Sequence, residues 1–275
     1  MKNINLIIIA LVFGVLACKT APPEPFNHKT QTIKSNQKVD HLNIWVKDPI
    51  KAKQMLIDLG FTAVPDSMCQ IHNGQGTTGR YFHFLNAYLE LIFIYDRAEF
   101  DKNNEVNQKL DFAERASFQS NGALPISIAL KMNEYDVAKI PFEKNEYHQD
   151  WMQENMNIYA AKSSKTNLNE PSVFVVYPEL ESDTFATLDD LTNIPDEYAF
   201  AREYFKHSNG VKKITKIKIT SPGLDLSSET MKAVSDIDKV IVADGNEQLL
   251  ELTFDKAVQG KNFDLRPDLL LVLHL

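Results

Sequence analysis

The sequence predicts an α+β protein assembled from repeated strand–helix–three-strand units. Three observations lead there: strands that alternate apolar and polar residues, a helix with clear start and stop residues between them, and the recurrence of that order along the chain. The 275 residues are 44% hydrophobic and 24% charged, which excludes a disordered chain. A formal net charge of −8 disfavours a nucleic-acid partner, because the field repels phosphate. Two cysteines, Cys18 and Cys69, exclude a disulfide scaffold and any zinc site built on several thiolates.

The first unit spans residues 39–96. His41, Asn43 and Trp45 share one face of its opening strand, while Leu42, Ile44 and Val46 share the other. Asp48 and Pro49 form an N-cap and first helical position, Ala52, Met55, Leu56 and Leu59 make an apolar stripe, and Gly60 closes the helix. Phe61–Val64, Arg80–Leu85 and Tyr88–Tyr95 read as strands, with a glycine-bearing loop, His72 to Thr77, before the second of them. A connecting helix is expected in 97–122, and a second, degenerate unit in 123–180, opening on the alternating strand Ile126–Lys131. An acidic connection occupies 181–210. A third βαβββ-like unit fills 211–275, ending on the apolar run Leu269 to Leu275. Being odd in number, this third unit is expected to pack on the first two or to pair with a second copy as a homodimer.

Ahead of these units, Lys2 and the apolar stretch Leu6–Ala17 form a leader too short for a membrane-spanning helix. It ends in Val15-Leu16-Ala17-Cys18, which resembles the lipobox of bacterial lipoproteins. That resemblance implies a signal peptide over 1–17, lipidation of Cys18 and a membrane contact through the lipid. With Lys19 following the cysteine, it implies the outer membrane of a Gram-negative envelope. Residues 18–38 are polar and proline-bearing and read as a flexible spacer.

The opening Asp40-His41-Leu42, the helix end Leu59-Gly60-Phe61 and the strand Tyr88-Leu89-Glu90-Leu91, in one βαβββ frame, resemble the vicinal oxygen chelate superfamily. The loop His72-x-Gly74-x-Gly76-Thr77 is similar to its glyoxalase-like group. The resemblance implies paired units curling a mixed sheet into a cup, with a divalent metal (Zn, Fe, Mn or Ni) held inside by a His/Glu set. His41 matches the first-strand ligand and Glu90 the last-strand ligand. Both are therefore the candidate metal-ligating and catalytic residues, and Asn43, Trp45, His72 and Tyr88 are candidate ligand-binding residues. In the second unit the matching positions fall near Ser127 and Val176 or Tyr177, which are poor metal ligands, so the set is incomplete unless His72 or His83 completes it.

Two ligand-binding readings stay open, beside a purely structural envelope lipoprotein. In one, the cup holds a small organic ligand and a metal assists lyase, isomerase or dioxygenase chemistry. In the other, a metal-free cup binds or sequesters the ligand without catalysis. Nucleophile-elbow, zinc-helix and dinucleotide-loop motifs do not occur, which leaves hydrolase, metalloprotease and nucleotide-enzyme readings unsupported.

Overall fold

A computed structural model describes residues 35–275; Cys18, its leader and most of the spacer lie outside the described residues. The first unit is β1 (Gln37–Trp45), α1 (Pro49–Asp58), β2 (Ile71–His72), β3 (Thr77–Phe84) and β4 (Ala87–Ile94). Asp48 caps α1 through a side-chain bond to the Lys51 N–H, and Ala52 and Leu56 are its buried residues. The segment Phe61–Val64, expected as a strand, is irregular. Its Val64 N–H bonds the Tyr81 carbonyl, and the second strand is the two-residue β2 instead.

The expected connecting helix breaks into three short ones, α2 (Arg97–Val106), α3 (Phe112–Ala116) and α4 (Phe118–Asn121). The second unit is β5 (Ile126–Met132), β6 (Lys144–Tyr147), β7 (Ile158–Ala161), the one-turn α5 (Ser163–Thr166) and β8 (Ser172–Val175). Where the first unit carries α1, this one has only a 3₁₀ turn at Val137–Lys139. That short segment has room for no apolar stripe.

These two units form one eight-stranded mixed sheet in the order β2-β3-β4-β1-β5-β8-β7-β6. In each unit the first strand lies parallel to the last, β1 on β4 and β5 on β8, and the units join by the antiparallel pair β1–β5. The sheet curls until its two ends meet. Tyr147, at the end of β6, donates its hydroxyl to Gln75 at 3.2 Å, and the Trp151 indole N–H donates to the Asn73 carbonyl at 3.1 Å. The α+β class and the cup-shaped sheet of repeated βαβββ units therefore stand as the sequence predicts.

The third segment departs from the expected repeat. It comprises β9 (Ile214–Ser221), α6 (Glu229–Ser235), β10 (Val240–Asp244), β11 (Leu249–Phe254), β12 (Asn262–Asp264) and β13 (Leu271–His274). Its strand order is β10-β9-β11-β13-β12, with β9 parallel to β10 rather than to the last strand. An extra strand, β12, covers the outer edge of β13. The chain thus holds two copies of the unit and a separate five-stranded sheet.

That second sheet packs within the same chain. Phe254 meets Phe61 and Phe84 at ring separations of 5.4 and 4.8 Å, and the buried aliphatics of both sheets form one continuous core. The Leu85 N–H bonds the Lys212 carbonyl, and the Asn86 side chain bonds both the N–H and the carbonyl of Ile214. Residues 181–210 are fastened too: Leu191, Ile194 and Phe205 bury against Leu85. Among the described residues no helix is long and apolar enough to cross a membrane.

Phe254 is 1% exposed at this junction, so Phe254→Ala leaves a cavity that neither sheet can close alone. The expected loss is about 3–5 kcal/mol in denaturant melts, in a single cooperative transition. A variant that unfolds in two separate steps would show that the sheets are independent.

Candidate functional site

The concave face of the eight-stranded sheet and the loops at its rim enclose a cavity of about 390 Å³, within the range that suits small organic ligands. Strand parity decides what faces it. His41, Asn43 and Trp45 come from β1, Tyr88, Glu90 and Ile92 from β4, Ser127 from β5, and Ser172, Phe174 and Val176 from β8 and its end. Their neighbours Leu42, Ile44, Leu89, Leu91, Ile126 and Ile128 face the other way, into the core. All six candidate residues, His41, Asn43, Trp45, His72, Tyr88 and Glu90, line this one cavity.

Asp40 breaks the alternation. The pairing register slips between Val39 and His41, a β-bulge opposite Ala129 and Leu130. Asp40 is 0% exposed and its carboxylate meets His41 Nδ1 at 2.6 Å, Lys131 Nζ at 3.2 Å and the Ser182 N–H at 2.7 Å. Burial alone would raise its pKa, but the His41 hydrogen bond and the His41 and Lys131 charges hold it down at about 2. The His41 ring lies stacked on Tyr88 at 4.3 Å, with Phe174 edge-on at 5.7 Å. His41 is thus held on its Nδ1 side by Asp40, on one face by Tyr88 and by an edge contact with Phe174.

Glu90 is the opposite case. It is 2% exposed, and its Oε1 has no hydrogen-bond partner. Burial pushes its pKa up to about 8, against a smaller downward pull from the Tyr81 hydroxyl alongside. His72 Nε2 lies 3.6 Å away but is bonded to Tyr81, and its Nδ1 to Thr77. Burial and the His41 charge lower the His72 pKa to about 4, so it offers Glu90 no cation at neutral pH. Room for the carboxyl comes from Gly79, where a Cβ would stand 2.3 Å from Oε1. Asn43, the cross-strand partner of Glu90, also has a buried Oδ1 with no hydrogen-bond partner.

The expected metal centre does not form. A catalytic site needs about three protein ligands, and among the described residues no three His, Cys, Asp or Glu side chains converge to hold an ion. His41 is tied to Asp40, and the second unit contributes Ser127, Ser172 and Phe174 where further donors would stand. His83 does not complete the set: its ring packs between Tyr88 and Phe205, and it is not among the cavity-lining residues. The residues present therefore do not fit a divalent metal. Arg80 is also elsewhere, paired with Asp66 at 3.1 Å and lying over Phe93.

Two lining residues, Phe112 and Arg115, are missed by the sequence reading, whereas the aromatic run Tyr147 to Trp151 is legible there as a rim. Arg115 is 1% exposed and donates to the Asp111 carboxylate and to the carbonyls of Leu124, Leu168 and Ser164, so that each of its three nitrogens is engaged. The four-residue spacing of Asp111 and Arg115 on one helix is the trace that could have shown it. Phe112 and Tyr147 stack edge-to-face along the wall at 5.3 Å. Gln149 bridges Tyr147 and Asn103 at the rim, and Trp151, 49% exposed, stands at the mouth.

The buried titrating groups set the pH dependence of stability. Burial lowers His72, His83 and His207 from about 6.5 to about 4, so the unfolded chain takes up protons first as pH falls from 6.5 to 4, and stability drops. Glu90 runs the other way: the folded protein keeps its proton up to about 8 while the unfolded chain loses it near 4.5, so stability declines as pH rises through that window. Melting temperature should therefore peak at about pH 6.5. Glu90→Gln should flatten the alkaline limb and leave the acid limb in place. An unchanged alkaline limb would show that Glu90 does not titrate as its burial dictates.

No protein-family model and no curated protein sequence matches the chain. Among solved structures, a hypothetical protein from Staphylococcus aureus superposes with a TM-score of 0.49 at 12% identity, over 86% of this chain and 98% of that one. Methylmalonyl-CoA epimerase from Mycobacterium tuberculosis superposes with a TM-score of 0.32 at 15% identity, over 52% of this chain and 90% of that one.

Proposed function

We propose that the chain is a small-molecule-binding protein whose cup takes an organic ligand without a metal ion, and that a lipid on Cys18 tethers it to the cell envelope. The observation that carries the first part is the pair of unpartnered atoms, Asn43 Oδ1 and Glu90 Oε1, inside an aromatic-walled cavity. Buried polar atoms without partners cost about 1–3 kcal/mol each, and a bound ligand that satisfies them recovers that cost. Trp45, Tyr88, Phe112, Tyr147 and Phe174 supply flat apolar walls, which favour a molecule with a ring or a short hydrocarbon body. His41, held by Asp40, and the Arg115–Asp111 ion pair fix the shape of the cavity, so the binding entropy cost falls mainly on the ligand.

Both tryptophans of the chain, Trp45 and Trp151, line the cup, so intrinsic fluorescence reports it directly. Titration with phenethyl alcohol should give a saturable change that persists after EDTA treatment. Ser127→Phe, which fills the cavity from β5, should abolish it. Loss of the signal with EDTA would overturn the metal-free reading, and no saturable change in the untreated protein would overturn the cup as a ligand site.

The leader supports the tether: a small residue precedes Cys18 directly after the apolar stretch. In bacterial cells, an alkyne palmitate analogue should label the chain and the protein should sediment with membranes. Cys18→Ser should lose both. Labelling unaffected by that substitution would exclude Cys18 as the anchor.

A further inference from the structure

We infer that the ligand of the cup is an amine: a small molecule with an aromatic or hydrocarbon body whose primary or secondary ammonium docks at Glu90 and Asn43. The inference rests on the cup being a ligand site and names the chemical class it takes. Three independent features of the cavity converge on it.

The first is a pair of adjacent buried oxygens with no hydrogen-bond partner. Asn43 and Glu90 are register partners on the parallel strands β1 and β4, so their side chains leave the same face side by side. Each presents a buried oxygen without a hydrogen-bond partner. An ammonium carries several N–H donors on one atom and can serve both oxygens, whereas a hydroxyl has one proton to donate.

The second is the missing counter-ion. Neighbouring carboxylates in this protein have theirs: Asp40 has Lys131 and His41, and Asp111 has Arg115. Glu90 has only His72 at 3.6 Å, and that ring is already bonded to Tyr81 and Thr77. A buried carboxyl without a charge partner keeps its proton at neutral pH, and a ligand ammonium supplies the missing charge as that proton leaves to solvent.

The third is the field inside the cup. Among the described residues, the only Lys or Arg lining the cavity is Arg115, whose charge is paired with Asp111 and whose three nitrogens each bond Asp111 or a backbone carbonyl. A carboxylate or phosphate ligand would find no free cation there. The aromatic rings that line the cavity, Trp45, Phe112 and Tyr147 among them, suit positive charge better than negative.

The test compares three probes sharing a phenyl group and a short chain: phenethylamine, phenethyl alcohol and hydrocinnamate. Each is titrated against the full chain at neutral pH by tryptophan fluorescence, with isothermal calorimetry as the second readout. Phenethylamine should bind at least about tenfold more tightly than the alcohol, and hydrocinnamate most weakly. Glu90→Gln should bring the amine to within about threefold of the alcohol. Retained alcohol binding by that variant shows that it is folded. Equal binding of amine and alcohol, or tightest binding of the acid, overturns the amine assignment and leaves the cup a ligand site. An amine advantage that survives Glu90→Gln overturns docking at Glu90. Absence of saturable binding by all three probes overturns the cup reading and this inference with it.

Discussion

The antiparallel pairing of β1 with β5 is the constraint on which the rest of the structure depends. It joins the two βαβββ units at the centre of the sheet, with Asn43 opposite Ser127 and Leu42 opposite Ile128. Because side chains alternate with a period of two, that register sends Leu42, Ile44, Ile126 and Ile128 to the core and His41, Asn43, Trp45 and Ser127 to the cup. A slip by one residue would bury the polar set and empty the core of its aliphatics. Register, core and cavity are therefore one choice. The Asp40 bulge shows how local the exception is: the extra residue carries a second polar side chain beside His41, and the alternation resumes at once.

Within that frame the two carboxylates Asp40 and Glu90 are treated in opposite ways. Asp40 is buried among donors from β1, β5 and the 181–210 segment, and stays ionised down to about pH 2. Glu90 is equally buried and has been given space by Gly79 rather than partners. The first arrangement stabilises the fold by fastening the strap that carries Ser182 onto the end of β1. The second does nothing for the fold, since a buried carboxyl with an unbonded oxygen costs free energy that a leucine would not. Its position inside the cavity is where such a cost has a functional return.

The first unit was legible in the sequence because its signals are local. Asp48-Pro49 and Gly60 bracket α1, and the alternation of β1 and β4 placed His41, Asn43, Trp45, Tyr88 and Glu90 on one face before any contact was known. The second unit was less legible, since β6 is short and polar and its helix has shrunk to a 3₁₀ turn. The third segment misled: its order of strand, helix and strands mimics the repeat, but pairing partners are a long-range property that periodicity does not encode. The bulge at Asp40 was hidden for the same reason, since the extra residue appears only against its partner strand. The incompleteness of the metal set was legible, since Ser127 and Val176 or Tyr177 fall where the second unit's ligands would stand; that neither His72 nor His83 completes it depends on contacts between strands.

That asymmetry between the units explains the character of the cup. Paired units need equal outer faces, because both must cover the same core, and Leu42, Leu89, Ile128 and Val173 answer to that demand alike. Nothing in the packing asks the inner faces to match. The first unit carries the titratable groups His41, His72 and Glu90 beside Trp45 and Tyr88, while the second carries no titratable group but Tyr147, its other lining residues being Ile158, Ala160, Phe174 and Val176 with the hydroxyls of Ser127 and Ser172. A site with titratable groups from both halves would enclose an ion or a polar headgroup on all sides. A site with them on one side and a largely apolar wall on the other orients an amphipathic guest, head toward β1 and β4, body against β7 and β8. On the reading proposed above, ligand selectivity follows from two structurally equivalent halves that differ only on the side that packing leaves free.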